Sequence, residues 1–228
     1  MVATAIAADI VPMEGENRTL TFLGLQQFHE NPRIGLQFFL KTLKKPIKVT
    51  GLVFVIAPRI NAAGRMDHGL SAVELLMTDN LELALPKARS IDFFNTERRS
   101  TDERITVEAL QQIVLNEETT CFSTVVFHPS WHKGVIGIVA SRLIETYYRP
   151  TVVLTESEGV LSGSVRSISG FDVYQALEAC SEFMIQFGGH KYAAGLTLKL
   201  EQLTGFKQCF EAYAKAHLLP EQLHPNYS

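Results

Sequence analysis

A chain of 228 residues, 46% of them hydrophobic and 20% charged, has the composition of an ordinary globular protein and is long enough for one large domain or two small ones. No apolar run reaches the roughly 18 residues that a membrane span needs, and the N-terminal segment lacks the basic start of a secretory signal, so we expect a cytoplasmic protein without a membrane partner. A net charge of −3 argues against a broad basic surface of the kind that wraps DNA.

Charge is distributed unevenly along the chain. Residues 1–65 carry eight Lys or Arg against four Asp or Glu, whereas residues 66–118 carry five against eleven. Any anion site must therefore be made locally, by a few placed cationic side chains. The three cysteines, Cys121, Cys180 and Cys209, are far apart and odd in number, which predicts buried thiols rather than a disulfide framework or a zinc knuckle.

The first predicted elements are small and apolar. Residues 2–9 form a buried run that ends at Asp9, which could present a carboxylate to a metal ion or, as such residues more commonly do, cap a helix or turn. Apolar residues at spacings of three and four then predict two helices, separated by Asn31-Pro32.

A second informative stretch is GLVFVIAPRINAAGRMDHG, which holds Arg59, Asn61 and Arg65 in what we interpret as a loop rich in Ala and Gly. Two guanidinium groups six residues apart, flanked by residues too small to obstruct them, could clamp adjacent phosphates bidentately. The alternative is a helix end with ordinary surface arginines. This stretch alone does not separate the two interpretations.

A long helix is predicted from about Asn80 to Asn116, because apolar positions recur at roughly helical spacing in a run rich in acids and bases. We interpret it as a connector between two domains. After it the pattern alternates between short strands and helices, which predicts an α/β layer with a mixed sheet covered by helices.

The segment WHKGVIGIVASR places Trp131, His132 and Lys133 just before a predicted helix start, where unpaired backbone amides favour an anion. The structural alternative is a tryptophan packed beneath the helix, with His132 hydrogen-bonded at the turn.

Two segments rich in small residues, Ser162–Ser167 and Gly188–Gly195, each carry one side chain suited to phosphate, Arg166 in the first and His190 in the second. Glycine lets a backbone approach a ligand closely, so exposed amides, a guanidinium and an imidazole could converge on one anion. We interpret both segments as loops and, as a hypothesis, as the two sides of a nucleotide or phosphodiester pocket. Each segment taken alone is equally typical of an ordinary turn.

Five stretches taken together resemble one family, the RecJ-type single-stranded-DNA exonucleases of the DHH phosphoesterase superfamily. In chain order they are AADIVPMEGENR, PRINAAGR, WHKGVIGIVASRLIE, SGSVRSI and FGGHKYAAG, and they extend from Ala7 to about Leu200. The resemblance implies an α/β protein with the helical C-terminal part of a DHH catalytic domain at 1–79, a connector helix at 80–117, a mixed-sheet DHHA1 nucleic-acid-binding domain at 118–218 and a tail at 219–228.

The same resemblance implies roles for individual residues. Asp9 would be the last acidic ligand of a catalytic two-metal site, normally Mn²⁺ or Mg²⁺, and His132 and Arg142 would stand behind the site. The residues implied to contact nucleic acid are Arg59, Asn61, Arg65, Ser164, Arg166, Ser167, Gly188, Gly189 and His190.

The resemblance implies a metal-dependent exonuclease that hydrolyses single-stranded DNA from 5′ to 3′ in repair and recombination, with single-strand-binding protein as a candidate partner. The Asp-His-His triplet that defines the family is missing from this sequence. We therefore interpret the chain as a fragment that binds DNA and is inactive alone, with a monomer as the default expectation. The alternatives are a non-catalytic nucleic-acid-binding module and a phosphodiesterase of the same superfamily that acts on oligonucleotides or cyclic dinucleotides.

Overall fold

One long helix, α7 (Leu81–Leu115), occupies the stretch in which the sequence predicts a connector. The computed structural model describes residues 1–43 and 45–223, so part of the predicted tail, residues 224–228, lies outside it. The chain divides into two units, Met1–Arg99 and Ser100–Ser228, and the division falls inside α7, which contributes residues to both. Within the described ranges, no helix combines the length and the apolarity that a membrane crossing requires.

The first unit is helical, in line with its apolar spacing of three and four. The helices that precede α7 are α1 (Val2–Ala8), α2 (Gly15–Glu30), α3 (Ile34–Lys41), α4 (Val49–Gly51), a π-helical stretch (Leu52–Ile56), α5 (Ala57–Met66) and α6 (Leu70–Met77). Large side chains such as Phe39, Leu75 and Ile91 are fully buried and form the core. Helices α3 and α6 cross so closely at Gly35 that a Cβ on this residue would collide with the Leu75 carbonyl.

The segment PRINAAGR is helical, and the predicted loop for Arg59, Asn61 and Arg65 is wrong. Its small residues serve packing rather than flexibility, since Ala62 and Ala63 are fully buried in the first unit. An alanine-rich run also has a high intrinsic helix propensity, and its one glycine lies near the end of the helix, where the cost is small.

The second unit is built on a mixed five-stranded sheet, which confirms the predicted α/β class. Its elements are β1 (Thr124–Phe127), α8 (Ile136–Thr146), β2 (Thr151–Ser157), β3 (Val160–Arg166), α9 (Val173–Ala179), β4 (Gln186–His190), β5 (Ala193–Leu198) and α10 (Leu203–His217). The strand order is β1-β2-β3-β5-β4, with β1 and β2 parallel and the other neighbours antiparallel. Helix α8 packs on one face; α9 and α10 cover the other, where Val165, Leu196 and Phe210 are buried.

The two small-residue segments lie in strands, so their description as loops is wrong, whereas the strands predicted from the runs VLSGSVRSI and AAGLTLKL are present as β3 and β5. Ser162–Ser167 belongs to β3 apart from its last residue, and Gly188–Gly195 forms the facing ends of β4 and β5 with a two-residue turn between them. Gly189 explains why this hairpin needs glycine. Its φ is +149°, and a Cβ there would meet the backbone of Ala194 at 2.5 Å.

The last turns of α7 are fixed to the second unit by side chains. The Gln112 amide group donates to the Phe127 carbonyl at 3.0 Å and accepts from the Phe127 amide at 3.3 Å. It thereby takes the place of a neighbouring strand at the edge of the sheet, where backbone groups need partners. The Trp131 indole N–H donates to the Glu108 carboxylate at 2.8 Å, 23 residues away along the chain.

Two of the cysteines form a disulfide, so the prediction of three thiols is wrong. Cys180, at the end of α9, is bonded to Cys209 on α10, with their Cα atoms 5.9 Å apart. The odd number of cysteines concealed the pair, because Cys121 is left over as a free thiol. Burial and the nearby Glu211 carboxylate raise the pKa of the Cys121 thiol.

Candidate nucleic-acid interface

Arg166 and His190 lie on the same face of the sheet, in one cross-strand row. Arg166 on β3 is paired with Ala193 on β5, and Ala193 is paired with His190 on β4. Directly opposed residues in a sheet project to the same side, and neighbouring strands are about 4.8 Å apart. The guanidinium and imidazole groups therefore start from backbones about 10 Å apart, with only an alanine methyl group between them.

The next row on the same face of the sheet, two residues along each strand, supplies a floor of very small residues. Ser164 is paired with Gly195, and Gly195 is paired with Gly188. A groove of about 400 Å³ opens over this part of the sheet. Its lining residues are Lys133, Ser162, Gly163, Gln186, Phe187, Gly188, Gly195, Leu196 and Thr197. The sheet thus brings together Gly188 with Ser164, and beside them Arg166 with His190, as predicted site residues.

Helix α8 approaches this face through a glycine. A Cβ on Gly137 would lie 2.9 Å from the Ser164 hydroxyl oxygen and 3.0 Å from an Arg166 guanidinium nitrogen, so any side chain here would displace them. Arg166 Nη1 also donates to Ser164 Oγ at 3.2 Å and to the Val165 carbonyl at 2.8 Å. Gly137 and these hydrogen bonds together fix where the guanidinium group lies, a dependence that sequence reasoning missed.

Ser167 fixes the chain that leaves β3. Its hydroxyl donates to the Phe171 carbonyl at 2.7 Å, and its backbone amide donates to the Tyr192 carbonyl at 3.0 Å. The amide bond connects the end of β3 to the turn of the β4–β5 hairpin, and the hydroxyl bond holds the segment that follows β3. A contact of Ser167 or Gly189 with nucleic acid stays a prediction beside these structural roles.

Just before α8, Trp131 and His132 have structural roles, as in the alternative to an anion site that the sequence left open. Trp131 is 4% exposed beneath the helix, and His132 Nδ1 accepts the Gly134 amide at 3.1 Å. Lys133 is exposed and lines the groove, although the sequence did not single it out above its neighbours. The sequence did include this cation in the possible anion site at the start of the helix.

Arg142 on α8 forms an ion pair with a residue of α7. Its guanidinium nitrogen lies 2.7 Å from a carboxylate oxygen of Asp102, whose side chain is 0% exposed. This arginine offsets a buried charge on another helix, and a place for Arg142 behind the site stays a prediction beside that structural role.

In the first unit, Arg59 and Arg65 do not form a clamp. Six residues along a helix turn through about 600°, which puts the two side chains on different sides of α5. Arg59 Nε lies 2.7 Å from a carboxylate oxygen of Asp92, and its guanidinium carbon lies 5.6 Å from the centre of the Phe39 ring. Asn61 and Arg65 are exposed one turn apart and share a face, so only this pair stays a candidate contact.

Asp9 is exposed directly after α1, at the position that ends the helix. Among the residues with a described position, no group of three or more His, Cys, Asp or Glu side chains could hold a metal ion. Mg²⁺ and similar ions take about six oxygen ligands in proteins. The described side chains therefore do not fit a two-metal site, to which Asp9 would bring one carboxylate.

Lowering the pH should weaken the contact between Glu108 and Trp131. Burial alone would raise the pKa of Glu108, but hydrogen bonds from Trp131 and Arg104 lower it below its usual 4.5. A carboxylate with a lowered pKa stabilises the fold above its unfolded-state pKa and loses that contribution as the pH falls through its folded-state value. We would measure the urea concentration at half-unfolding by fluorescence of the single tryptophan. When the pH is lowered from neutral to below 4.5, this midpoint should decrease more in the wild type than in Glu108→Gln. Equal losses in both proteins would contradict this.

Comparison with known proteins agrees with the resemblance. The DHHA1 domain family matches residues 118–216. RecJ of Bacillus subtilis (strain 168), a single-stranded-DNA-specific exonuclease, is 36% identical over 230 residues that cover 99% of this chain and 29% of the relative. RecJ of Thermus thermophilus in complex with Mn²⁺ superposes with a TM-score of 0.86 at 32% identity, over 96% of this chain and 32% of that one. The complex of the same protein with Mg²⁺ gives a TM-score of 0.84 at 31% identity, over 94% of this chain and 33% of that one. The chain thus spans about a third of the length of these proteins.

Proposed function

The chain belongs to the RecJ-type family and contains a DHHA1 domain, and we propose that this domain binds single-stranded DNA on the sheet face that carries Arg166 and His190. The observation that carries the proposal is the pair of adjacent rows, one with a guanidinium and an imidazole, the other with Ser164 and two glycines. A protein that binds single strands needs cations placed along a groove through which the backbone passes.

The floor of the groove suits a sugar–phosphate backbone. Gly188 and Gly195 carry no side chain, so a ligand can approach the strands to within contact of their backbone. Lys133 borders the same groove, while Arg166 can supply a planar, charge-assisted hydrogen bond to a phosphate. His190 is exposed at the edge strand and provides a further donor.

For a protein of the relatives' length we propose a nuclease that uses Mn²⁺ or Mg²⁺ and degrades single-stranded DNA from 5′ to 3′ in repair and recombination. The support is similarity to RecJ proteins, one of which, from Thermus thermophilus, is described in complex with Mn²⁺ and in complex with Mg²⁺. The side chains described here supply no ligand set for those metals, so no hydrolytic step is assigned to them. A cytoplasmic location, monomeric state and contact with single-strand-binding protein stay predictions.

A second candidate is a nucleic-acid-binding module without catalysis, which the lack of a metal-ligand cluster among the described residues favours for this chain by itself. A manganese-dependent nuclease assay on the chain and on a RecJ-length protein separates the two. Cleavage by the longer protein alone would support the nuclease, and cleavage by neither would support the module.

Replacing Arg166 with alanine should weaken binding of single-stranded DNA at least tenfold. A hydrogen bond to a charged group contributes about 1.5–3 kcal/mol, and about 1.4 kcal/mol corresponds to a factor of ten. We would measure fluorescence anisotropy of a labelled oligothymidine at fixed salt. Lys215→Ala is the matched control, because it removes one cation from α10 on the opposite side of the sheet. Equal affinities of the two variants would contradict the proposed interface.

A further inference from the structure

The turn of the β4–β5 hairpin presents an exposed aromatic ring from a fixed backbone. Tyr192 is 62% exposed, although its carbonyl accepts the Ser167 amide at 3.0 Å. The carbonyl of the preceding Lys191 accepts the Val173 amide at 3.1 Å. Both peptide units of the turn are thus held from neighbouring segments, while the phenol ring faces solvent. Exposure here does not come from a loosely held loop.

This ring lies at the same end of the sheet as the proposed phosphate contacts. The turn joins His190 directly to Ala193, and Ala193 is the residue paired with Arg166 at the end of β3. Tyr192 is therefore next in sequence to the row that carries both polar groups. A base that neighbours a phosphate bound at Arg166 consequently falls within reach of the hairpin turn.

The charge around the ring also suits a nucleotide. Lys191 Nζ lies 5.7 Å from the centre of the Tyr192 ring, so a cation accompanies the aromatic surface. Among the tyrosines of this unit that the structure describes, the other exposed one is Tyr174, whose ring centre lies 5.6 Å from that of Phe187 and which is thus partly covered by protein. Tyr192 is the more exposed of the two rings.

We propose that Tyr192 is a stacking platform for one nucleobase of single-stranded DNA, next to the nucleotide whose phosphate contacts Arg166. This inference rests on the proposed function and adds a base contact to an interface otherwise built for the backbone. Every base has a π face, so the platform tolerates any sequence, and it requires the ring of the tyrosine rather than its hydroxyl. Lys191 would contact a neighbouring phosphate.

The test compares two probes of equal length and charge, an oligothymidine and the same strand with abasic sites throughout. Tyr192→Ala should weaken binding of oligothymidine about tenfold and leave binding of the abasic strand unchanged, whereas Tyr192→Phe should retain the affinity for both. Lys191→Ala should weaken both probes equally and lower the salt dependence by about one phosphate contact. Trp131 fluorescence and circular dichroism would establish that each variant is folded.

The outcomes separate this inference from the proposed function. Absence of binding by the wild-type chain, together with an unchanged Arg166→Ala variant, would overturn both. Normal binding that Arg166→Ala weakens and Tyr192→Ala does not would overturn the stacking platform alone. Equal losses for oligothymidine and the abasic strand in Tyr192→Ala would also overturn it, since the ring would then support the backbone and not a base.

Discussion

Replacing Arg149 with alanine is expected to lower the free energy of unfolding of the second unit by about 4 kcal/mol, because several hydrogen bonds from one charged donor, each contributing about 1.5–3 kcal/mol, would be lost together. Arg149 is 4% exposed. Its guanidinium group donates to the Thr124 hydroxyl at 2.7 Å and to the Glu118 and Cys121 carbonyls at 2.8 and 2.5 Å. The carbonyl acceptors lie between the end of α7 and β1, so one side chain holds the entry into the sheet.

The stability effect of the Arg149 substitution depends on the charge of this side chain as well as on its hydrogen bonds. Burial lowers the pKa of Arg149, which means that the protein places the cation in an environment less favourable than water. Without it, the Glu118 and Cys121 carbonyls and the hydroxyl of the buried Thr124 would lose this donor, and a buried polar group left without a partner costs about 1–3 kcal/mol.

Urea unfolding followed by Trp131 fluorescence would measure this effect, because the single tryptophan belongs to the second unit. Arg149→Lys is the matched control. It keeps the charge but has no planar fork, so we expect a loss smaller than that of Arg149→Ala and larger than about 1 kcal/mol. A stability of Arg149→Ala within about 1 kcal/mol of the wild type would contradict the role assigned to this residue.

The elements that the sequence predicted well are those with a local, periodic signal. Helix α7 follows from apolar positions at helical spacing across Leu81–Leu115, and β1, β2 and β3 follow from short runs of β-branched residues between turn residues. The alternation of these strands with helices was enough to predict a mixed sheet, which the structure confirms.

The elements that the sequence missed depend on pairing partners far along the chain. Strand β4 has the sequence QFGGH, in which glycines remove any β propensity, and it is a strand because β5 pairs with it. Helix α5 was mistaken for a loop because its alanines and glycine look permissive when their burial is unknown. The disulfide between Cys180 and Cys209 likewise requires the packing of α9 against α10.

The candidate site was predicted in its chemistry but not in its geometry. Arg166 and His190 were selected as phosphate ligands from separate segments, and only the register of β3, β5 and β4 places them in one row. Gly137, whose role depends on that geometry, had no local signal in the sequence, and Lys133 was named only together with its neighbours as part of a possible anion site. Arg142 was assigned a place behind the site through the resemblance, and its pairing with the buried Asp102 carboxylate, which is distant along the chain, could not be predicted from the sequence.

Replacing Arg142 with methionine is expected to destabilise the second unit by about 3 kcal/mol, because the Asp102 carboxylate would remain buried without this cation. The Asp102 side chain is 0% exposed, whereas that of Arg142 is 38% exposed, so the buried anion is the group that depends on the pair. Methionine keeps an apolar, unbranched side chain at this position of α8 and removes the charge and the fork.

The double variant Asp102→Asn with Arg142→Met is the decisive comparison, since it removes the buried charge together with its partner. Buried ion pairs often stabilise little relative to neutral replacements, although breaking one half is costly. We therefore expect the double variant to recover at least about 1 kcal/mol of the loss in Arg142→Met when both are measured by urea unfolding. A double variant less stable than Arg142→Met would show that Asp102 stabilises α7 without Arg142, and would locate the dependence in other contacts of the aspartate.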